Sequence, residues 1–220
     1  MRNFLPSSLV ELLRDRYIAR VVLAAEAFEA NSADEDSVTG ALGQMLLMSS
    51  PLAYQEGGET YSVQVSYRKI RGRGLNAPER LYGTDGIFQI AILDASGQVA
   101  FTKGLPFQSK VNWRGRDSRL TAQASEIQFA LGGGIVVDYA ATGYMACSTL
   151  AVLNAGGDRG QIDREGRMHS LGHVLGIDFL ECYVGREGLF FDAERERFIQ
   201  GEDVLPPRHA LTTVVRTARG

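Results

Sequence analysis

The segment Gly83–Lys110, GTDGIFQIAILDASGQVAFTKGLPFQSK, reads as two strands joined by a tight turn. Ile87 to Leu93 is an apolar run, Asp94 to Gln98 supplies turn-forming residues, and Val99 to Val111 is the returning strand. Asp85 stands at the entrance of the first strand. Gln108 and Lys110 stand near the exit of the second, two residues apart and therefore on one face. Phe107 and Ser109 are expected on the opposite face, Phe107 in the packing layer.

Upstream, residues 7–30 read as a helix, with Leu9, Leu12, Leu13, Tyr17, Val21 and Ala24 at helical spacing. A second helix is expected from about Glu35 to Met48, on the stripe Val38, Leu42, Met45 and Leu46. Tyr61, Val63, Val65 and Tyr67 alternate with polar residues as in a half-buried strand. A basic loop follows it, with Arg68, Lys69, Arg71 and Arg73. Downstream, Ser118–Leu131 reads as a helix stopped by Gly132 to Gly134, and Ile135 to Tyr139 as a buried strand. Tyr144 to Leu153 reads as a strand or a short helix, with helix preferred, Gly156 to Arg167 as a loop, Leu171 to Tyr183 as a helix, and Ala193 to Arg197 as a turn or short helix. Pro206 and Pro207 mark a break before an apolar-basic tail. This order of elements predicts a mixed α/β layer fold.

The 220 residues suffice for one domain spanning 1–220, in which 143–220 extends the same core or forms a partner-binding surface. A net charge of −3 is no nucleic-acid signature, so any such binding must come from local basic patches. Two cysteines, Cys147 and Cys182, give neither a disulfide framework nor metal-ligand spacing, and a reduced cytoplasmic setting is expected. No apolar run approaches the roughly 18 residues of a membrane span, and the N-terminus does not read as a signal peptide.

An acid, an amide and an ammonium at one end of a hairpin suggest metal-dependent phosphodiester chemistry. Such chemistry needs a divalent cation held by oxygen ligands, with a further cation to orient water or offset developing negative charge. Asp85 is the first candidate ligand. Gln108 can offer a carbonyl oxygen, and Lys110 can serve the water or the charge. The glycines on either side of Asp85 would admit a metal or phosphate close to the backbone.

An acidic helix, Gly-x-Asp-Gly, a hairpin, Gln-x-Lys and then a helix resemble the PD-(D/E)XK nuclease superfamily. More narrowly, the chain is similar to the Mrr-like branch, in which Gln replaces the usual second acid. The resemblance spans roughly residues 20–140. It implies a restriction-endonuclease-like fold, a central mixed β-sheet flanked by helices. It also implies a metal-dependent DNA endonuclease using Mg2+ or Mn2+, with Asp85, Gln108 and Lys110 as metal ligand, active-site amide and catalytic lysine. A role in prokaryotic antiviral defence, with a second subunit or a homo-oligomer, is implied in the same way.

The superfamily also places an acid on the helix before the sheet, and Glu35 and Asp36 are the candidates. Glu35 shares the inward stripe of its helix and is the preferred catalytic and metal-binding residue, with Asp36 in support. Both also have a capping reading. Ser32-Ala-Asp-Glu35 fits a capping box, and acids near a helix start are favoured by its dipole. The resemblance puts a polar residue in support on the following helix, where Gln123 and Glu126 both have the reading of a solvated face and Gln123 is the better functional candidate. Arg68, Lys69, Arg71 and Arg73 before the hairpin, and Arg114, Arg116 and Arg119 after it, would supply the phosphate-binding field if their strands are neighbours. Trp113 either stacks on a base or covers the core edge. His169 and His173, four apart, lack the Glu of a zinc-protease motif and read as ordinary surface or core residues. Because Gln108 removes one negative ligand, a second expectation is a catalytically degenerate subunit that binds nucleic acid or serves assembly.

Overall fold

A computed structural model describes residues 1, 3–70, 84–199 and 206–219. In chain order, helices α1 (Ser7–Glu26), α2 (Phe28–Asn31) and α3 (Glu35–Leu46) precede strands β1 (Leu52–Glu56), β2 (Glu59–Lys69), β3 (Gly86–Leu93) and β4 (Val99–Val111). Helix α4 (Ser118–Leu131), strands β5 (Ile135–Ala140) and β6 (Gly143–Ser148), and helices α5 (Thr149–Asn154) and α6 (Arg159–Arg164) follow. Strand β7 (His169–Ser170), helix α7 (Leu171–His173) and a π-helical segment (Val174–Phe179) come next. The short strands β8 (Arg186–Glu187), β9 (Phe191–Asp192) and β10 (Arg197–Phe198) then lead to β11 (His209–Arg219).

The expected central mixed sheet flanked by helices is present. Among the described residues it has nine strands, in the order β1-β2-β11-β3-β4-β5-β6-β7, with β8 paired to β4. Strand β11 runs antiparallel to β2 and parallel to β3, and β4 runs parallel to β5; β3–β4 and β5–β6 are antiparallel hairpins. Alternation along each strand divides the core between two faces. Phe88, Ile90 and Ile92 of β3 join Leu13, Tyr17 and Val21 of α1 and Val38 and Leu42 of α3 on one side. On the other, Val136 and Cys147 join Leu120 and Ala124 of α4 and Val152 of α5.

The hairpin forms as read, closed by Asp94, whose carboxylate accepts from the Ser96 and Gln98 N–H groups at 2.8 and 3.0 Å. Helix α4 ends at Gly132 with φ of 76°, a left-handed position that glycine adopts without a Cβ clash. Three expectations are corrected. Tyr144–Leu153 is not one helix: its first half completes β6, and Ser148 then caps α5 by accepting from the Ala151 N–H at 3.1 Å. The 156–167 stretch contains α6, capped by Asp158. Residues 171–183 begin with one α-turn and continue as π-helix, where Gly172 and Gly176 lie against the backbone of α1 at Ile18 and Arg14. The C-terminal tail is a central strand. Leu211 and Val215 of β11 enter the main core between β2 and β3.

Candidate functional site

Strands β3 and β11 begin, and β2, β4 and β5 finish, at the same end of the sheet. Asp85 lies one residue before the paired position Gly86–Phe107. Its N–H donates to the Phe107 carbonyl and its own carbonyl accepts from the His209 N–H, both at 2.9 Å, so its main chain is tied to both neighbouring strands. Gly86 is needed for packing: a β-carbon there would collide with the Phe107 ring and the His209 carbonyl.

Oδ2 of Asp85 accepts three hydrogen bonds, from the Ser109 N–H at 2.9 Å, the Ser109 hydroxyl at 2.8 Å and the Gln108 side-chain amide. The expectation that Ser109 faces away from the site is therefore corrected. Its hydroxyl is short enough to turn back along the strand end towards Asp85. Gln108 is 2% exposed, and its carbonyl oxygen is buried with no hydrogen-bond partner among the described residues. Lys110 Nζ lies 3.4 Å from Oε1 of Glu35, which brings the helix acid to the hairpin.

The first turn of α3 explains why Glu35 is available. The cap is Asp34, whose carboxylate accepts from the Ser37 N–H at 2.7 Å and the Ser37 hydroxyl at 3.0 Å. The Ser32 hydroxyl instead donates to the Glu29 carbonyl at 3.3 Å, so the capping box expected from Ser32 to Glu35 does not form. Glu35, at the first helical position, reaches across to β4. Burial first, and then the Asp85 carboxylate, push the Glu35 pKa above its ordinary value against the opposing pull of Lys110 and Arg119.

Asp36 does not cap either. It pairs with Lys69 and accepts from Nε2 of His209 at 2.8 Å. Burial disfavours its charge, but Lys69 and His209 outweigh that and hold its pKa below the ordinary value. His209 is 1% exposed, and burial lowers its pKa against the influence of Asp36. The imidazole is accordingly neutral near pH 7, with Nε2–H donating to Asp36 and Nδ1 accepting from the Tyr67 hydroxyl at 2.9 Å. Burial and Asp36 push the Tyr67 pKa up to about 12, which keeps that donor protonated.

The described members of both basic clusters lie at this end. Arg68 and Lys69 close β2 opposite Ala210 and His209, and Arg114 and Arg116 are exposed in the connection from β4 to α4. Lys69 is engaged by Asp36, and Arg71 and Arg73 lie outside the described residues. Arg119 is close enough to favour the charged form of Glu35. Gln123, one turn further along α4, buries its side-chain oxygen without a partner among the described residues. Trp113 covers the core edge: it is 7% exposed and packs with the α4–α5 cluster.

Sequence reading missed Ser109, His209 and Asp138. Asp138 interrupts the apolar run of β5, itself a signal, and its carboxylate accepts from the Trp113 N–H and Arg159 Nε, each at 2.9 Å. That bond fixes the basic β4–α4 connection against α6. His169 is exposed and His173 half-buried, with stacked rings 5.8 Å apart, and His173 Nε2 is 3.5 Å from Asp178. Among the described residues no group of three or more His, Cys, Asp or Glu side chains is disposed to hold a metal. None of their helices is long and apolar enough to cross a membrane. Comparison with protein-family models, with curated proteins and with solved structures finds no match to this chain.

Proposed function

We propose that the protein is a metal-dependent DNA endonuclease that hydrolyses phosphodiester bonds, with Mg2+ or Mn2+ as cofactor. The observation that carries this reading is convergence. Asp85, Gln108, Lys110 and Glu35, from the start of β3, the end of β4 and the start of α3, gather at one end of the sheet. Asp85 and Glu35 supply carboxylate oxygens, and the Gln108 carbonyl is a buried acceptor without a hydrogen-bond partner among the described residues. Such hard oxygen donors suit a divalent cation. When bound, the cation would polarise the phosphate and lower the pKa of an attacking water. Lys110 orients that water or offsets charge on the phosphate, and Glu35 places the lysine. Arg68, Arg114 and Arg116 present cations to the DNA backbone on either side of the site. A role in prokaryotic antiviral defence belongs to the same proposal and rests on the sequence resemblance alone.

The test is cleavage of plasmid, linear duplex and single-stranded DNA with Mg2+ or Mn2+. Lys110→Ala and Asp85→Ala are expected to abolish cleavage with folding retained; wild-type activity in both would sink the proposal. One observation favours a second reading, a non-catalytic DNA-binding or assembly subunit. Oδ2 of Asp85 is already engaged by three donors from β4, as a structural acid would be. A metal titration separates the two, because a structural Asp85 would bind neither cation.

A further inference from the structure

Glu35 and Asp36 are consecutive, yet they serve opposite sides of one strand. About 100° separates neighbouring side chains on an α-helix. Glu35 is thereby directed to Lys110 on β4, at 3.4 Å, and Asp36 to His209 on β11, at 2.8 Å. Between those strands lies β3, with Asp85 at its entrance. A helix turn held on both sides of a strand cannot roll or slide without breaking one of the two contacts.

The β11 contact is built from both ends. His209 is almost fully buried, with one ring nitrogen satisfied by Asp36 and the other by Tyr67. The Tyr67 and His209 rings stack at 5.9 Å and 13°. On the other side, Tyr67 lies against Gly43 of α3, where a β-carbon would collide with the ring. The His209 N–H donates to the Asp85 carbonyl at 2.9 Å, so one residue contacts both the main chain of Asp85 and the helix that carries Glu35.

We infer that His209 is a positioning residue: through Asp36, and supported by Tyr67, it fixes the first turn of α3 so that Glu35 is held against Lys110 beside Asp85. The catalytic consequence rests on the nuclease reading, whereas the geometric one does not.

The geometric test uses 13C-carboxyl-labelled glutamate at a single neutral pH, with the Glu35 resonance identified by its loss in Glu35→Gln. In the wild-type background Lys110→Met shifts that resonance. In His209→Leu, which keeps a filled volume but removes both ring hydrogen bonds, the same substitution shifts it by less than about a third as much, as a displaced partner requires. Asp36→Ala gives the same loss at a half-exposed position and serves if His209→Leu fails to fold. His209→Gln, with one donor and one acceptor, recovers most of the shift. In cleavage assays His209→Leu lowers kcat about tenfold with KM for DNA within about twofold, the pattern of a misplaced catalytic group. An undiminished Lys110→Met response in both His209→Leu and Asp36→Ala overturns the inference, as does a Glu35 resonance indifferent to Lys110→Met in the wild type. Absence of DNA cleavage by the wild type overturns the nuclease reading alone.

Discussion

At position 108 an amide replaces a possible charge, and the consequence falls on Asp85. A Gln108 side-chain N–H donates to Oδ2 of Asp85, so that carboxylate oxygen is held by the neighbouring strand. Gln108→Glu would set two carboxylates together and remove the donor, at a cost of about 1–3 kcal/mol for the lost charge-assisted bond. The variant should melt several degrees below wild type in chelator, by roughly the conversion usual for domains of this size. Mn2+ should raise its melting temperature more than that of wild type, which differential scanning fluorimetry would measure; equal metal responses would argue against ligation at 108. Glu35 makes a pH-dependent prediction. Its raised pKa means the folded chain holds that proton more tightly than the unfolded chain, so its contribution is complete below the ordinary glutamate value and is lost as pH rises through the raised one. Glu35→Gln should therefore match wild-type stability in acid and exceed it at neutral pH. Urea melts at pH 4 and pH 7.5 would show this; a neutral-pH loss would mean that the Lys110 pair outweighs burial.

Among elements, the start of α3 decides whether its acids are structural or functional. Asp34 caps the helix, so Asp34→Ala should cost about 1 kcal/mol, while Ser32→Ala should stay within about 0.5 kcal/mol in urea unfolding. The reverse ranking would restore the capping box and return Glu35 to a structural role. The sequence pattern located this helix and its inward stripe correctly but placed the cap two residues early. Ser, Asp and Glu all suit a helix start, and local preference cannot rank them when tertiary partners such as Lys110 and His209 claim two of the acids. A similar limit blurred 144–153 and 171–183. Short apolar runs suit a buried strand or a buried helix equally, and the π-helical segment is set by where glycines touch α1. The hairpin was legible because alternation, a turn and two polar ends are all local signals. That Ser109 turns back to Asp85 was not, because strand periodicity assigns a face and cannot describe side chains at a strand end.

On the scale of the whole molecule, the last strand is the one that joins the halves of the sheet. Residues 209–219 alternate as a strand should, but nothing local states that β11 enters between β2 and β3. Its insertion carries His209 into the site and sets Arg68 and Lys69 on the same end as Arg114 and Arg116. A chain ending before His209 should consequently fail to fold: β2 would keep only β1 and β3 only β4, with nothing joining the two halves of the sheet, and circular dichroism with thermal melting would show no cooperative transition. If the protein acts on DNA as proposed, the same arrangement governs its affinity. With a net charge of −3, the surface as a whole would not attract DNA, so such binding would depend on cations gathered at one sheet end. Each phosphate contact contributes about −0.9 to the slope of log affinity against log salt for duplex DNA. Arg68→Gln, Arg114→Gln and Arg116→Gln should each flatten that slope by close to this amount, whatever the DNA sequence. Lys69→Gln should flatten it less, because its ammonium is already paired with Asp36. Fluorescence anisotropy from about 50 to 200 mM salt spans the range in which such contacts are resolved. A slope unchanged by all three arginine variants would place the DNA away from this end of the sheet and remove the site from its path.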